Sequence, residues 1–389
     1  MKTYKQLYEK ICGFDNLWLA FHQARRGKRA KAEVASFEYR LESNLLALER
    51  ELRDESYRPG PYHHFYIYEP KRRKISAAPF RDRVVHHALC NLIEPIWEAR
   101  FIDNSYACRV GKGTHAGLDR AQHYARRYRY VLQGDMVQFF PSIDHQVLRG
   151  LLARRIADQR TMALVDKILN SGAGVLDSEY TIQFFPGDDL LTPLERARGL
   201  PIGNLTSQFW ANVYLHELDT FVTQELRHGA YVRYADDWLL FSNDKAELQR
   251  YAAQIRGFLV QLRLVLHDRK TQIYPTATGI PFLGFRLYPD YRRLKRPNLL
   301  RFKRRMHRML HGYADGALDL HELLVAAGKT QRAERRRTLV QADIRLEQLR
   351  LHWRLCRTLE LLTPARYEHG ARLIDEVGRL LGGWLAADA

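Results

Sequence analysis

The sequence predicts an α+β fold in which a small antiparallel sheet is flanked by many helices. Short runs of aromatic and β-branched residues at 64–68, 74–78, 130–132, 231–234 and 238–241 read as strands. Apolar residues at helical spacing precede, separate and follow them, with turn residues at the joints. The chain has 389 residues, 46% of them hydrophobic, which suits a sizeable core in two or three domains.

Leu45, Leu46, Leu48 and Leu52 recur at helical spacing among charges, so residues 1–60 read as helices that stop at Arg58-Pro59-Gly60-Pro61. His64 to Tyr68 and Lys74 to Ala78 are expected to form a β-hairpin with a cationic tip, Pro70-Lys71-Arg72-Arg73. The spacing of Val84, Val85, Ala88, Leu89, Leu92 and Ile96 predicts a core helix over 81–100.

Tyr130-Val131-Leu132 then leads as a strand into Gly134-Asp135. Tyr231 to Tyr234 leads into Ala235-Asp236-Asp237, with Trp238 to Phe241 as the return strand. Between them, Ser207 to Phe221 has an amphipathic pattern, while Asp177 to Pro193 is less regular.

After Leu283-Gly284-Phe285 the composition changes: residues 291–310 hold nine Lys or Arg and no acid. The expected organisation is an N-terminal helical extension (1–60), a central mixed region (61–290) and a basic helical region (291–389).

There are 62 basic and 44 acidic residues, a formal charge of +18, so the field should attract a polyanion such as nucleic acid or an anionic membrane surface. No stretch approaches the roughly 20 apolar residues of a membrane helix, and the start, MKTYKQLYEK, lacks a signal-peptide core. A soluble cytoplasmic protein with no membrane partner is expected. Cys12, Cys90, Cys108 and Cys356 are isolated, which points to neither a disulfide framework nor a zinc site. His86 and His87 lack an acidic partner at metal-ligand spacing, so they suit packing or RNA contact rather than catalysis.

Joining a nucleotide to a 3′-hydroxyl needs two divalent ions about 3.5–4 Å apart, and carboxylates on rigid strand ends can hold them. A bare Asp-Asp pair is usually a surface turn. Here apolar strands flank Asp236 and Asp237, and hydrophobic strands bury turn charges at a cost unless a cation compensates. A tight hairpin could turn both toward one site, with Asp135 supplied by a neighbouring strand.

Tyr234-Ala235-Asp236-Asp237 resembles the catalytic turn of reverse transcriptases, and Asp135-Met136-Val137-Gln138-Phe139-Phe140 resembles their first metal-binding motif. Lys270 stands where that family has a lysine near the leaving group of the incoming nucleotide, and Phe282-Leu283-Gly284-Phe285 resembles the primer-gripping turn. The resemblance covers roughly residues 60 to 290. It implies a right-hand polymerase with helix-rich fingers, an antiparallel palm sheet and a helical thumb. It also implies RNA-directed DNA synthesis from deoxynucleotides, with Asp135, Asp236 and Asp237 holding two Mg²⁺ ions, for which Mn²⁺ could substitute.

Leu200-Pro201-Ile202-Gly203-Asn204-Leu205-Thr206-Ser207-Gln208 is similar to the variant carried by diversity-generating retroelement reverse transcriptases, as are Ser76 to Arg83 and Tyr106 to His115. That branch implies mutagenic copying of a template RNA at adenines, with a basic helical accessory protein as partner. Glutamine at the Ile202 position could hydrogen-bond near the nascent pair, and isoleucine cannot. Phe140 matches the aromatic gate against the ribose 2′-hydroxyl, and Gln208 closes the nucleotide-side motif. Lys74 and Arg109 are candidate phosphate contacts. In the basic run that resembles a thumb, Arg296, Lys303 and Arg304 are candidate nucleic-acid contacts. The competing readings are a defence-associated, antiphage reverse transcriptase and an inactive RNA-binding protein with the polymerase fold.

Overall fold

The structure, a computed structural model, describes residues 2–29, 31–68, 72–297, 300, 304, 346, 349, 353 and 363–387. It divides into two compact units, Met1–Lys295 and Arg296–Ala389. The first unit begins with α1 (Tyr8–Cys12), α2 (Phe14–Ala24), α3 (Ala32–Tyr39) and α4 (Leu41–Arg53). Leu45, Leu48 and Leu52 of α4 are buried on one face, as their spacing predicts.

The hairpin pairs β1 (His63–Ile67) with β2 (Arg73–Ala77) in antiparallel register. Every residue of β1 is exposed. Arg72 lies over the Tyr66 ring, 4.2 Å from its centroid. Lys71, at the expected cationic tip, lies outside the described residues. The core helix is α5 (Phe80–Glu98), which buries Val84, Val85, Ala88 and Leu89.

Next come α6 (Thr114–Arg127), β3 (Tyr130–Gly134), α7 (Phe139–Ser142), α8 (His145–Ala153), α9 (Gln159–Ser171), α10 (Thr192–Glu195) and α11 (Leu205–Thr220). They are followed by β4 (Tyr231–Tyr234), β5 (Asp237–Ser242), α12 (Lys245–Gln261) and β6 (Gln272–Pro275). The central sheet has the order β4-β5-β3-β6, and all its pairings are antiparallel.

Both faces of this sheet are covered. Leu132, Trp238 and Leu240 enter one core, while Val131, Leu239 and Phe241 enter another with Leu118, Ala121 and Ala125 of α6. The two-residue alternation of a strand therefore explains why Trp238-Leu239-Leu240-Phe241 is apolar at every position.

Helix α11 departs from the sequence expectation. The pattern suggested an amphipathic helix, yet α11 is buried nearly all round, including the polar residues Asn212 and Asp219. It packs against α5, α8 and α12, so its polar positions point at protein partners rather than water.

A second sheet, β7 (Ile280–Phe282), β8 (Phe285–Leu287) and β9 (Arg292–Leu294), closes the first unit. In the second unit the described helix is α13 (Pro364–Ala387), and Trp353 donates its indole N–H to the Tyr367 carbonyl at 3.0 Å.

Candidate active site

The acidic turn is built by strand register. Tyr234 pairs with Asp237, leaving Ala235 and Asp236 as a two-residue hairpin turn. Ala235 has φ 53°, a left-handed conformation that costs an L-residue energy and persists where surrounding contacts impose it. On the neighbouring strand Gly134 pairs with Trp238, and a Cβ there would come within 2.0 Å of the indole. Glycine before Asp135 is therefore a steric requirement, and it brings Asp135 to the same end of the sheet as Asp236 and Asp237.

Asp236 is half-buried. Burial raises its carboxyl above the ordinary range and the charge of Asp135 adds to the rise, while its own backbone N–H, Arg73 and Arg233 oppose it. Two mutually repelling carboxylates held on strand ends fit a hard divalent cation, whose ligands are oxygens. Among the described residues no three His, Cys, Asp or Glu side chains stand close enough to form a complete ligand set. Instead Asp135 Oδ2 accepts a hydrogen bond from Lys270 Nζ at 2.5 Å. The lysine arrives through backbone ties: His267 N donates to the Asp135 carbonyl and Val137 N to that of Val265.

The other sequence candidates distribute as follows. Phe140 is half-buried, packs edge-to-face on Phe139, and its carbonyl accepts from Leu200 N at 3.0 Å, which joins the Asp135 motif to the 200–208 loop. Ile202 is half-buried and its carbonyl accepts from Ser76 N at 2.9 Å, tying the same loop to β2. The Asn204 side chain fastens it further, accepting from Ala78 N and donating to the Ser76 carbonyl. Gln208 is exposed on the first turn of α11. Lys74 Nζ donates to the Val175 carbonyl at 2.8 Å.

Arg109 is engaged elsewhere. Its guanidinium pairs with Glu98 at 2.9 Å, donates to the Ile102 and Ser105 carbonyls, and its side chain is 5% exposed. Phe282 is buried, and Leu283-Gly284 form a two-residue turn with φ 46° and 86°, the pair of positive angles that a tight hairpin turn requires. Arg296 and Arg304 are exposed in the second unit, and Lys303 lies outside the described residues.

The sequence reading missed Arg233 and Asp219. Arg233 is fully buried; its Nε and Nη2 each donate to an Asp219 carboxylate oxygen at 2.7 Å, and Nη1 donates to Asn212 Oδ1 and the Ala235 carbonyl, each at 3.1 Å. Tyr231 also donates to Asp219, at 3.0 Å. Removing one partner of a buried pair of this kind typically costs about 3–5 kcal/mol. An arginine inside an apolar strand was the available signal, since a charge there requires a buried acid.

A cavity of about 180 Å³ lies beside the 200–208 loop, lined by Lys28, Arg83, His86, His87, Asn204 and Gln208, among others. Burial pushes His86 down to about 3, with His87 and Arg83 contributing, and pushes His87 down to about 4, with Lys28 contributing. Unfolded chains protonate histidine from about pH 6.5, so the folded state should lose stability as pH falls below that value, by up to about 1.4 kcal/mol per pH unit for each ring. Replacing His86 with Phe should flatten this loss between pH 6.5 and 4 in urea titrations. An unchanged slope would show that the ring is not held neutral.

An acidic hairpin turn beside a second acidic strand end, with a lysine paired to that strand's Asp135, is the arrangement carried by the palm of a nucleotide-adding polymerase. The family model described as reverse transcriptase (RNA-dependent DNA polymerase) matches residues 68–287, and the chain belongs to that family. A second model, described as bAvd-like, matches residues 303–387. The chain is 28% identical to protein YkfC of Escherichia coli K12 over 64% of its own length and 72% of that protein. It is 30% identical to the group II intron-encoded protein LtrA of Lactococcus lactis subsp. cremoris over 47% of its own length and 29% of that protein. It thus spans less than a third of LtrA. Among solved structures, apo telomerase from Candida tropicalis is similar at 10% identity and a TM-score of 0.40, over 65% of this chain and 53% of that one. Among the described residues no helix is long and apolar enough to cross a membrane.

Proposed function

We propose that this reverse transcriptase copies a template RNA into DNA with errors concentrated at adenines, as part of a diversity-generating retroelement. The observation that carries the reading is the loop Leu200 to Gln208, whose Ile202 puts an apolar side chain where glutamine could hydrogen-bond and is fixed through its carbonyl to β2. An apolar side chain there offers no hydrogen bond to discriminate a correct from an incorrect nascent pair.

In this reading Asp135, Asp236 and Asp237 would hold two Mg²⁺ ions once Lys270 leaves Asp135. When bound, such ions activate the attacking hydroxyl and stabilise the charge that develops on the leaving group. The primer 3′-hydroxyl would give its proton to solvent water as its oxygen attacks the α-phosphorus of the deoxynucleotide and the bond to pyrophosphate breaks. Phe140 excludes the ribose 2′-hydroxyl, Lys74 and Gln208 position the nucleotide, and Lys270 leaves Asp135 to meet the departing phosphates. Arg109 braces residues 98–105 through Glu98 and the Ile102 and Ser105 carbonyls. Phe282, Leu283 and Gly284 seat the primer, and Arg296, Lys303 and Arg304 follow the duplex backbone.

The basic helical accessory role, expected of a separate protein, is one we place in this chain's own C-terminal segment. The match of residues 303–387 to a family of their own supports that placement.

The test is to purify the protein with the RNA it binds in cells, supply Mg²⁺ and deoxynucleotides, and sequence the DNA. Substitutions concentrated at template adenines are expected, and Ile202→Gln should reduce them severalfold without abolishing synthesis. Faithful products from the wild-type protein would refute the mutagenic reading, and repetitive products made without a template would favour the defence role instead.

A further inference from the structure

We propose that Arg233 is a positioning residue that sets where Asp236 stands, acting through the carbonyl of Ala235. This rests on the reading of Asp236 as a metal ligand. The Ala235 carbonyl and the Asp236 N–H belong to one planar peptide unit, so fixing that oxygen fixes the plane from which the Asp236 side chain departs. Arg233 Nη1 grips this oxygen at 3.1 Å, and Ala235 adopts φ 53°, a conformation an alanine would leave if it were not held.

The grip is itself held rigidly. Four of the five guanidinium N–H groups have acceptors: two on Asp219, one on Asn212 and one on Ala235. Asp219 and Asn212 both stand on α11, the helix buried nearly all round. Asn212 in turn donates to the Ala107 carbonyl at 2.8 Å. The backbone of Arg233 is clamped too, donating to the Asn104 carbonyl and accepting from Tyr106 N, each at 2.9 Å. The acidic turn is thus referenced to a helix buried nearly all round, and the guanidinium charge also acts on Asp236. A lysine could keep the charge but not the planar fork that serves Asp219 and Ala235 together.

The experiment compares Arg233→Lys with wild type and with Asp236→Asn in the full chain. For Arg233→Lys we expect a cooperative fold and unchanged primer–template affinity, and a dNTP KM within threefold. Its kcat should fall about 100-fold, and the Mg²⁺ concentration for half-maximal binding, read on the nucleotide-free protein by calorimetry, should rise at least threefold. A folded variant with wild-type kcat and Mg²⁺ binding overturns the proposal, as does a kcat loss that merely follows the folded fraction. If Arg233→Lys fails to fold, Asp219→Asn carries the test, because its amide repels one edge of the fork while keeping its shape. The same two shifts support the proposal, and failure of both variants to fold overturns it in favour of a purely structural pair. Retained activity in Asp236→Asn would instead refute the reading of the ligand itself.

Discussion

Asp236→Asn should abolish primer extension, by at least about 10²–10³-fold, while raising the thermal midpoint of the nucleotide-free protein. The two effects have one cause. Asp236 is half-buried, and its carboxyl is raised by burial and by the neighbouring charge of Asp135, so its ionised form is disfavoured in the folded state. By linkage, a carboxyl whose folded pKa lies above its unfolded value weakens the fold at neutral pH, and the isosteric amide removes that penalty. The same charge is what a divalent ion requires. Stability and activity should therefore move in opposite directions, a pattern expected where a site is arranged for its ligand rather than for the empty fold. Extension assays and thermal melts on one preparation measure both, and a fall in the midpoint with activity retained would remove Asp236 from the chemistry.

The elements that build this turn were legible because their signals are local. Apolar runs on both sides of Ala235-Asp236-Asp237 read as strands, whereas the demand that Trp238 makes for glycine at 134 comes from across the sheet and was not readable. The turn Leu283-Gly284 was visible through its resemblance to the primer-gripping turn, although the positive φ of Leu283 was not. What stayed hidden depends on partners far apart in sequence. The Asp219 and Asn212 positions look like the wet face of an amphipathic helix, and only the packing of α11 against other helices turns them inward to receive Arg233. The ion pair of Arg109 was hidden in the same way, because Glu98, its partner, lies on the preceding helix and carries no motif. The bond between Phe140 and Leu200 joins main-chain atoms, to which side-chain identity is indifferent.

Lys270→Ala should tighten divalent-ion binding to the nucleotide-free protein while lowering kcat/KM for nucleotide addition about 100-fold. The ammonium lies 2.5 Å from Asp135 Oδ2, so it occupies an oxygen that the proposed ion would need. The Lys270 side chain is 49% exposed and that of Asp135 21%, and ion pairs open to solvent are worth only about 0–1 kcal/mol, weak enough for an ion to displace. Once displaced, the lysine remains tethered beside the site, because His267 N holds the Asp135 carbonyl and Lys270 N in turn bonds the His267 carbonyl. A cation released there is well placed to meet the negative charge that accumulates on departing pyrophosphate. Removing it should help the ion and hurt the reaction, whereas a lysine that only anchors Asp135 would weaken both when lost. Calorimetric Mn²⁺ titration alongside single-turnover incorporation separates these cases, since the sign of the change in metal affinity differs between them.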